Sequence, residues 1–116
     1  MRPESIALCN ELLQQHQRVC ITGNELTGEC IIAYGELCRN AGVSHILRSI
    51  GQFLLEVAEW CAHNNMPPIN AFAVNAENCM PGESYDVAPS CSLLNWADEV
   101  RMCIAYRDYP EAYIRA

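Results

Sequence analysis

The residues best able to do chemistry in this chain are its eight cysteines and three histidines, and their spacing argues against most of what thiols and imidazoles do. A zinc site usually shows as two close pairs such as Cys-x-x-Cys. Here the cysteines stand at positions 9, 20, 30, 38, 61, 79, 91 and 103, so neighbours are at least eight residues apart. Only a site assembled from distant parts of the chain could hold a metal, and none is expected. Cys61 and His63 are close in sequence, but a step of two along a helix turns side chains about 200° apart, which is no arrangement for a nucleophile and its base. The carboxylate pairs Glu25 with Glu29 and Glu56 with Glu59 have the spacing of solvated faces and no flanking motif that would perturb them. There is no glycine-rich phosphate cradle, no Gly-x-Ser-x-Gly elbow and no nucleotide fingerprint. The expectation is a protein without catalytic residues, metal or cofactor.

Charge narrows the partners. Fourteen acidic against seven basic side chains give a formal net charge of −7, a mean field that repels phosphate backbones. All the basic residues are arginine, so an electropositive spot would need local clustering of Arg39, Arg48, Arg101 or Arg107. The amino-terminal stretch MRPESIALCNELLQQHQR lacks a secretory apolar core with a cleavage site, and no run approaches the roughly 18 apolar residues of a membrane span. No Asn-x-Ser/Thr sequon occurs either. The expected place is a reducing cytoplasm, away from membranes, with the cysteines as buried free thiols.

The 116 residues, 51% hydrophobic and 18% charged, suffice for one core and one domain spanning 1–116. From Pro3 to about Gln17, Ile6, Cys9, Leu12 and Leu13 recur at helical spacing. ITGNELTG, from Ile21 to Gly28, reads as a loop before a short apolar stretch, Cys30 to Ala33. Tyr34 to Asn40 reads as a short helix stopped at Asn40-Ala41-Gly42. A second helix starts at Ser44 and carries Ile46, Ile50, Phe53, Leu54, Val57, Trp60 and Cys61 inward. Pro67 and Pro68 end it. Ala71 to Asn75 reads as a strand that pairs with Ser84 to Val87 in a hairpin, and Ser90 or Ser92 caps a last helix with Leu93, Trp96, Val100, Cys103, Ile104 and Arg107 on one side. The predicted fold is α+β, mainly helical and winged-helix-like: helix, helix-turn-helix, β-hairpin wing, C-terminal helix. Trp60, Trp96, Phe53 and Phe72 read as core.

The segment YGELCRNAGVSHILRSIGQFL resembles the DNA-binding domain of O6-alkylguanine-DNA alkyltransferases and alkyltransferase-like proteins, with their tyrosine-glycine helix start and Arg-Ala-Val-Gly recognition helix, here Arg48, Ser49, Ile50 and Gly51. The likeness extends more weakly through NNMPPINAFAVN, to about Gly82. It implies a winged helix in which Tyr34 contacts a target phosphate and Arg48 takes the place of a flipped base. The family's Pro-Cys-His-Arg motif is absent and Ala33 stands where a capping threonine is usual, so alkyl transfer is not implied; Cys79, on the proposed wing, reads as exposed.

Two functions follow. The first is a non-enzymatic acidic binding protein that docks on a protein partner, such as a nucleic-acid-binding complex whose basic groove its carboxylates would occupy. Small acidic anti-defence inhibitors of phages and mobile elements share this size and charge, by analogy only. Glu56, Glu59, Tyr85, Tyr106 and Tyr109 are its interface candidates, and leftover apolar surface near Phe72 or Tyr106 is compatible with a homodimer. The alternative is DNA binding through Tyr34, Arg39, His45 and Arg48. A patch joining Arg39, His45 and Arg48 without nearby carboxylates would favour the alternative.

Overall fold

The computed structural model describes residues 1–22 and 30–113, with side chains described through Arg18 in the first stretch. Within them the chain is mainly helical: α1 Pro3–Thr22, α2 Tyr34–Ala41, α3 Ile50–His63 and α4 Trp96–Ala105, joined by short 3-10 helices, with a two-stranded sheet, β1 Ile32–Ala33 and β2 Ala73–Val74. No described helix is long and apolar enough to cross a membrane.

The amphipathic first segment forms α1, and Leu8, Cys9, Leu12 and Leu13 are its buried residues. It runs past the expected end at Gln17, and Ile21 and Thr22, expected in a loop, are still helical. The rest of that loop, with Glu25 and Glu29, and the Cys20 side chain lie outside the described residues.

α2 ends as its glycine dictates. Gly42 takes the left-handed conformation (φ 74°), its N–H donates to the Arg39 carbonyl, and the next N–H, of Val43, donates to the Cys38 carbonyl at 2.9 Å. This pairing satisfies carbonyls the helix leaves open and tucks Val43 into the core. Ser44 does not cap an α-helix as expected: Ser44–Ser49 is a 3-10 helix, and α3 begins at Ile50. Arg48 and Ser49 therefore lie before α3, and Ile50 and Gly51 inside it.

α3 is the centre. Ile50, Phe53, Leu54, Val57, Ala58, Trp60 and Cys61 are buried, covered by α1 and by the 3-10 helices Ile69–Phe72 and Glu83–Val87. It stops as α2 does, with asparagine in glycine's role. Asn65 is left-handed (φ 56°), the Asn65 N–H donates to the Ala62 carbonyl and the Met66 N–H to that of Cys61, and the Asn64 amide group donates to the Trp60 carbonyl at 2.8 Å. Pro67 and Pro68 then exclude another turn.

The expected hairpin is not formed. Ile69, Asn70, Ala71 and Phe72 are all buried, at 3% exposure or less, and wind as a 3-10 helix, with the Ala71 N–H donating to the Pro68 carbonyl at 2.9 Å. Only Ala73–Val74 is extended, and it pairs in parallel with β1, Ile32 opposite Ala73 and Ala33 opposite Val74. Ser84 to Val87 lies in the 3-10 helix Glu83–Val87, between Pro81 and Pro89, which have no N–H to give a ladder. Of the hairpin there remains a tight loop, closed by an antiparallel bridge between Asn75 and Met80, with Cys79 left-handed and exposed.

In place of a wing, the segment 82–88 folds against the amino-terminal ends of α2 and α3. The Gly82 N–H donates to the Tyr34 hydroxyl at 2.7 Å, and Ser84 lies so close to Gly51 that a Cβ there would sit 2.9 Å from the Ser84 Cβ and closer still to its Oγ. Beyond α4, Tyr109 donates to the Pro67 carbonyl at 2.6 Å and the Tyr113 N–H to Asn10 Oδ1, which dock the tail through Tyr113 on the body. Phe72 is fully buried and so offers no surface of its own to a second copy.

Gly51→Ala should lower unfolding stability by about 1–3 kcal/mol through overpacking, and adding Ser84→Gly should recover most of that loss. Urea denaturation of both variants checks this; a double variant no more stable than Gly51→Ala alone would show that the contact is not what excludes a side chain.

Candidate protein-docking surface

Two concavities flank the carboxyl-terminal end of α3. One, of about 540 Å³, is lined by Met1, Glu56, Glu59, Trp60 and His63. The other, of about 580 Å³, runs between the end of α3 and α4: Ala62, Met66, Pro67 and Pro68 form one wall, Met102 and Tyr106 the other, and Asn65, Ser90 and Glu99 are its polar members. Neither lining contains an arginine. A third, small concavity between Tyr34, Gly51, Asn70 and Tyr85 has about 10 Å³ of room, far too little for a ligand.

The groove owes its shape to backbone features already described. The left-handed Asn65 turns the chain off α3, Pro67 and Pro68 stiffen the wall that follows, and left-handed Ser90 (φ 62°) brings the chain back beside the start of α4. Glu99 is the one carboxylate in it. The residue is only 8% exposed, and its Oε1 accepts hydrogen bonds from the Tyr85 hydroxyl at 2.5 Å and the Ser92 N–H at 3.1 Å. Burial, and next the bond to Glu99, push the Tyr85 hydroxyl far above its ordinary range and fix it as the donor. These bonds offset part of the cost of burying a charge. Glu99 Oε2 has no hydrogen-bond partner among the described residues.

Of the sequence-derived interface candidates, Glu56 and Glu59 share the first cleft, and Tyr106 lines the groove. Glu56 is already engaged: its Oε2 meets Arg2 Nε at 2.7 Å, and its Oε1 accepts from the Arg2 N–H and the Ser5 hydroxyl, while the Arg2 guanidinium lies 3.9 Å over the Phe53 ring. Partial burial raises the Glu56 carboxyl, but these three partners outweigh it and hold it below its ordinary value. Glu59 is exposed. Tyr85 is 5% exposed and so cannot present its ring to a partner, and Tyr109 is half-buried, with its hydroxyl on Pro67 and its ring edge-on to His16 and Tyr106. Glu99 escaped the sequence reading. It was detectable there: positions 96, 99, 100, 103 and 104 share one helical face, and a carboxylate among them is out of pattern.

On the opposite reading, Arg39, His45 and Arg48 are exposed at α2 and the 3-10 helix that follows. They are not free of carboxylates. His45 Nε2 lies 3.8 Å from Glu4 Oε2, and exposed Glu36 stands one helical turn before Arg39. Tyr34 is half-buried, its hydroxyl holds the Gly82 N–H, and burial raises its pKa. Ala33 supplies no side-chain cap to α2.

The buried thiols are unsuited to attack. Cys9, Cys30, Cys38, Cys61, Cys91 and Cys103 are buried, and burial is the leading cause of a raised pKa in each, to about 12 for Cys61 and Cys103. Thiols held protonated at neutral pH are poor nucleophiles. His63 is exposed while Cys61 is fully buried, so the two do not meet. Among the described residues no group of three or more His, Cys, Asp or Glu side chains is placed to hold a metal ion. Compared with protein-family models, with curated proteins and with solved structures, the chain matches none.

Glu56→Gln should cost about 1 kcal/mol at neutral pH, since one charge-assisted pair and its hydrogen bonds are weakened. Because the folded pKa lies below the unfolded one, the native carboxylate contributes stability above the unfolded value and loses it as pH falls through the folded value. Thermal unfolding followed from pH 7 to about pH 3 should therefore show a shallower acid decline in the variant than in the parent. Parallel curves would contradict this role for Glu56.

Proposed function

We propose that this protein acts by binding rather than by catalysis, and that the acidic, concave surface around the end of α3 docks on a basic protein surface. The carrying observation is that two concavities flank that end, one presenting the exposed Glu59 and the other Glu99, with no arginine in either lining and with Glu56 already paired to Arg2. With a net charge of −7 on the chain, a basic partner is favoured in long-range steering as well as in contact. A nucleic-acid-binding complex, whose groove is built to receive negative charge, is a partner of this chemistry, and occupying it would make the protein an inhibitor. The six buried thiols, which burial keeps protonated, are in keeping with a non-enzymatic role.

DNA binding of alkyltransferase-like type is the second reading. Exposed Arg48 and Arg39 favour it, and the α2–turn–3-10–α3 order is the part of a winged helix it can use. Against it stand Glu4 and Glu36 beside the same patch, the inward engagement of Tyr34, and the missing hairpin.

Two measurements decide. The protein is titrated against short duplex DNA at about 50 and 200 mM salt, beside Arg48→Ala. In parallel, wild type and a Glu59→Arg/Glu99→Gln variant are used to enrich partners from cell extract. No DNA binding at the lower salt, with a basic protein retained by wild type and lost by the variant, is the expected result. DNA binding that weakens with salt and with Arg48→Ala would instead establish the second reading.

A further inference from the structure

Within the groove between α3 and α4 the polar groups are unequally used. Glu99 is buried to nine-tenths and more, and lines the groove; one of its oxygens is held by Tyr85 and Ser92, and the other has no partner among the described residues. A buried carboxylate of this kind is costly unless a positive charge reaches it. No arginine lines the groove, and Arg101, on the same helix, is paired with Asp98 at 2.8 Å. The surroundings are apolar and of fixed shape: Pro67, Pro68 and Met66 on one side, Met102 and Tyr106 on the other. Met102 is 54% exposed and offers apolar surface along the groove.

We infer that this groove is a receptor for one cationic side chain, arginine or lysine, from a peptide segment of a partner protein, with the head group meeting Glu99 Oε2 and flanking apolar residues covering Met102 and the proline wall. Charge complementarity selects the occupant. Only one carboxylate oxygen is open, so the contact is end-on rather than the two-pronged fork of a free arginine–carboxylate pair. The aliphatic stem of either cation fits between Met102 and Tyr106, and a guanidinium can in addition stack on the tyrosine ring. Tyr85 acts as a positioning residue: its hydroxyl holds Oε1 and thereby aims Oε2.

The inference rests on the protein-docking reading, and its test is kept separate from that of the reading. The probe is an amidated peptide with a single arginine flanked by leucines, compared with the same peptide carrying lysine, or citrulline, which keeps the shape of arginine without its charge. Backbone amide chemical shifts of the full chain are followed during titration. The arginine peptide should perturb the amides of Ser92, Glu99, Met102 and Tyr106 saturably, the lysine peptide should do so within a few-fold of its affinity, and the citrulline peptide should bind at least about ten-fold more weakly. Glu99→Gln keeps an oxygen for Tyr85 and Ser92 and should abolish the discrimination between arginine and citrulline. Ala62→Phe, which fills the groove without touching the carboxylate, should weaken all three peptides.

Equal binding of arginine and citrulline peptides to wild type would overturn the inference, as would an absence of perturbation at the groove. Perturbations confined to the Glu56–Glu59 cleft would overturn it while leaving protein docking intact. Failure of docking itself shows separately, as salt-sensitive DNA binding lost with Arg48→Ala.

Discussion

The helix α3 is apolar around most of its circumference. Ile50, Leu54, Val57 and Cys61 on one side and Phe53, Ala58 and Trp60 beyond them all leave water, and no single neighbour can cover so wide a stripe. The other elements are arranged to satisfy that demand. α1 lays Leu8, Leu12 and Leu13 along it, the fully buried run Ile69–Phe72 returns beneath it, and the 3-10 helix Glu83–Val87 closes over its first turn. Gly51 is the point at which this last contact is tightest, and a side chain there would push Ser84 away.

Covering α3 fixes where it can remain uncovered. Its carboxyl-terminal end is left open because two mechanisms terminate it abruptly: a left-handed Asn65 and the Pro67-Pro68 pair. The chain must then leave at an angle, and the space between that exit and α4 becomes the groove. The polar atoms along its floor are thus a by-product of packing, yet they are selectively satisfied. Tyr85 and the Ser92 N–H donate to Glu99 Oε1, while Glu99 Oε2 keeps its capacity for a partner. The net acidity of the chain and the local geometry then favour the same kind of partner, one that brings positive charge.

The carboxylates show that sequence charge is not surface charge. Glu56 and Glu59 look alike along the chain, three residues apart on one helix, but Glu56 is neutralised by Arg2, just before α1, and held by Ser5, and Glu59 is not. Tyr85 and Tyr106 likewise look equivalent as late tyrosines, and one is core while the other lines the groove. In each case the difference comes from a residue more than ten positions away, or from how a distant segment covers the ring.

What the sequence by itself determined is whatever depends on neighbours along the chain. Helical periodicity located α1, α2, α3 and α4; Gly42 marked a stop because a residue without Cβ takes the left-handed conformation at no steric cost; Pro67 and Pro68 marked another because neither can donate to a helix. The cysteines on apolar faces were legible as buried thiols for the same reason. Tertiary structure alone decided the rest. Ala71 to Asn75 reads locally as a strand, but Ala71 and Phe72 belong to a 3-10 helix and only Ala73–Val74 is extended; the short sheet joins Ile32 to Ala73, a pairing no local pattern contains. Whether a carboxylate is spent or available depends on what is folded against it, so Glu99 became a candidate site only once α3, α4 and the Tyr85 segment were placed together.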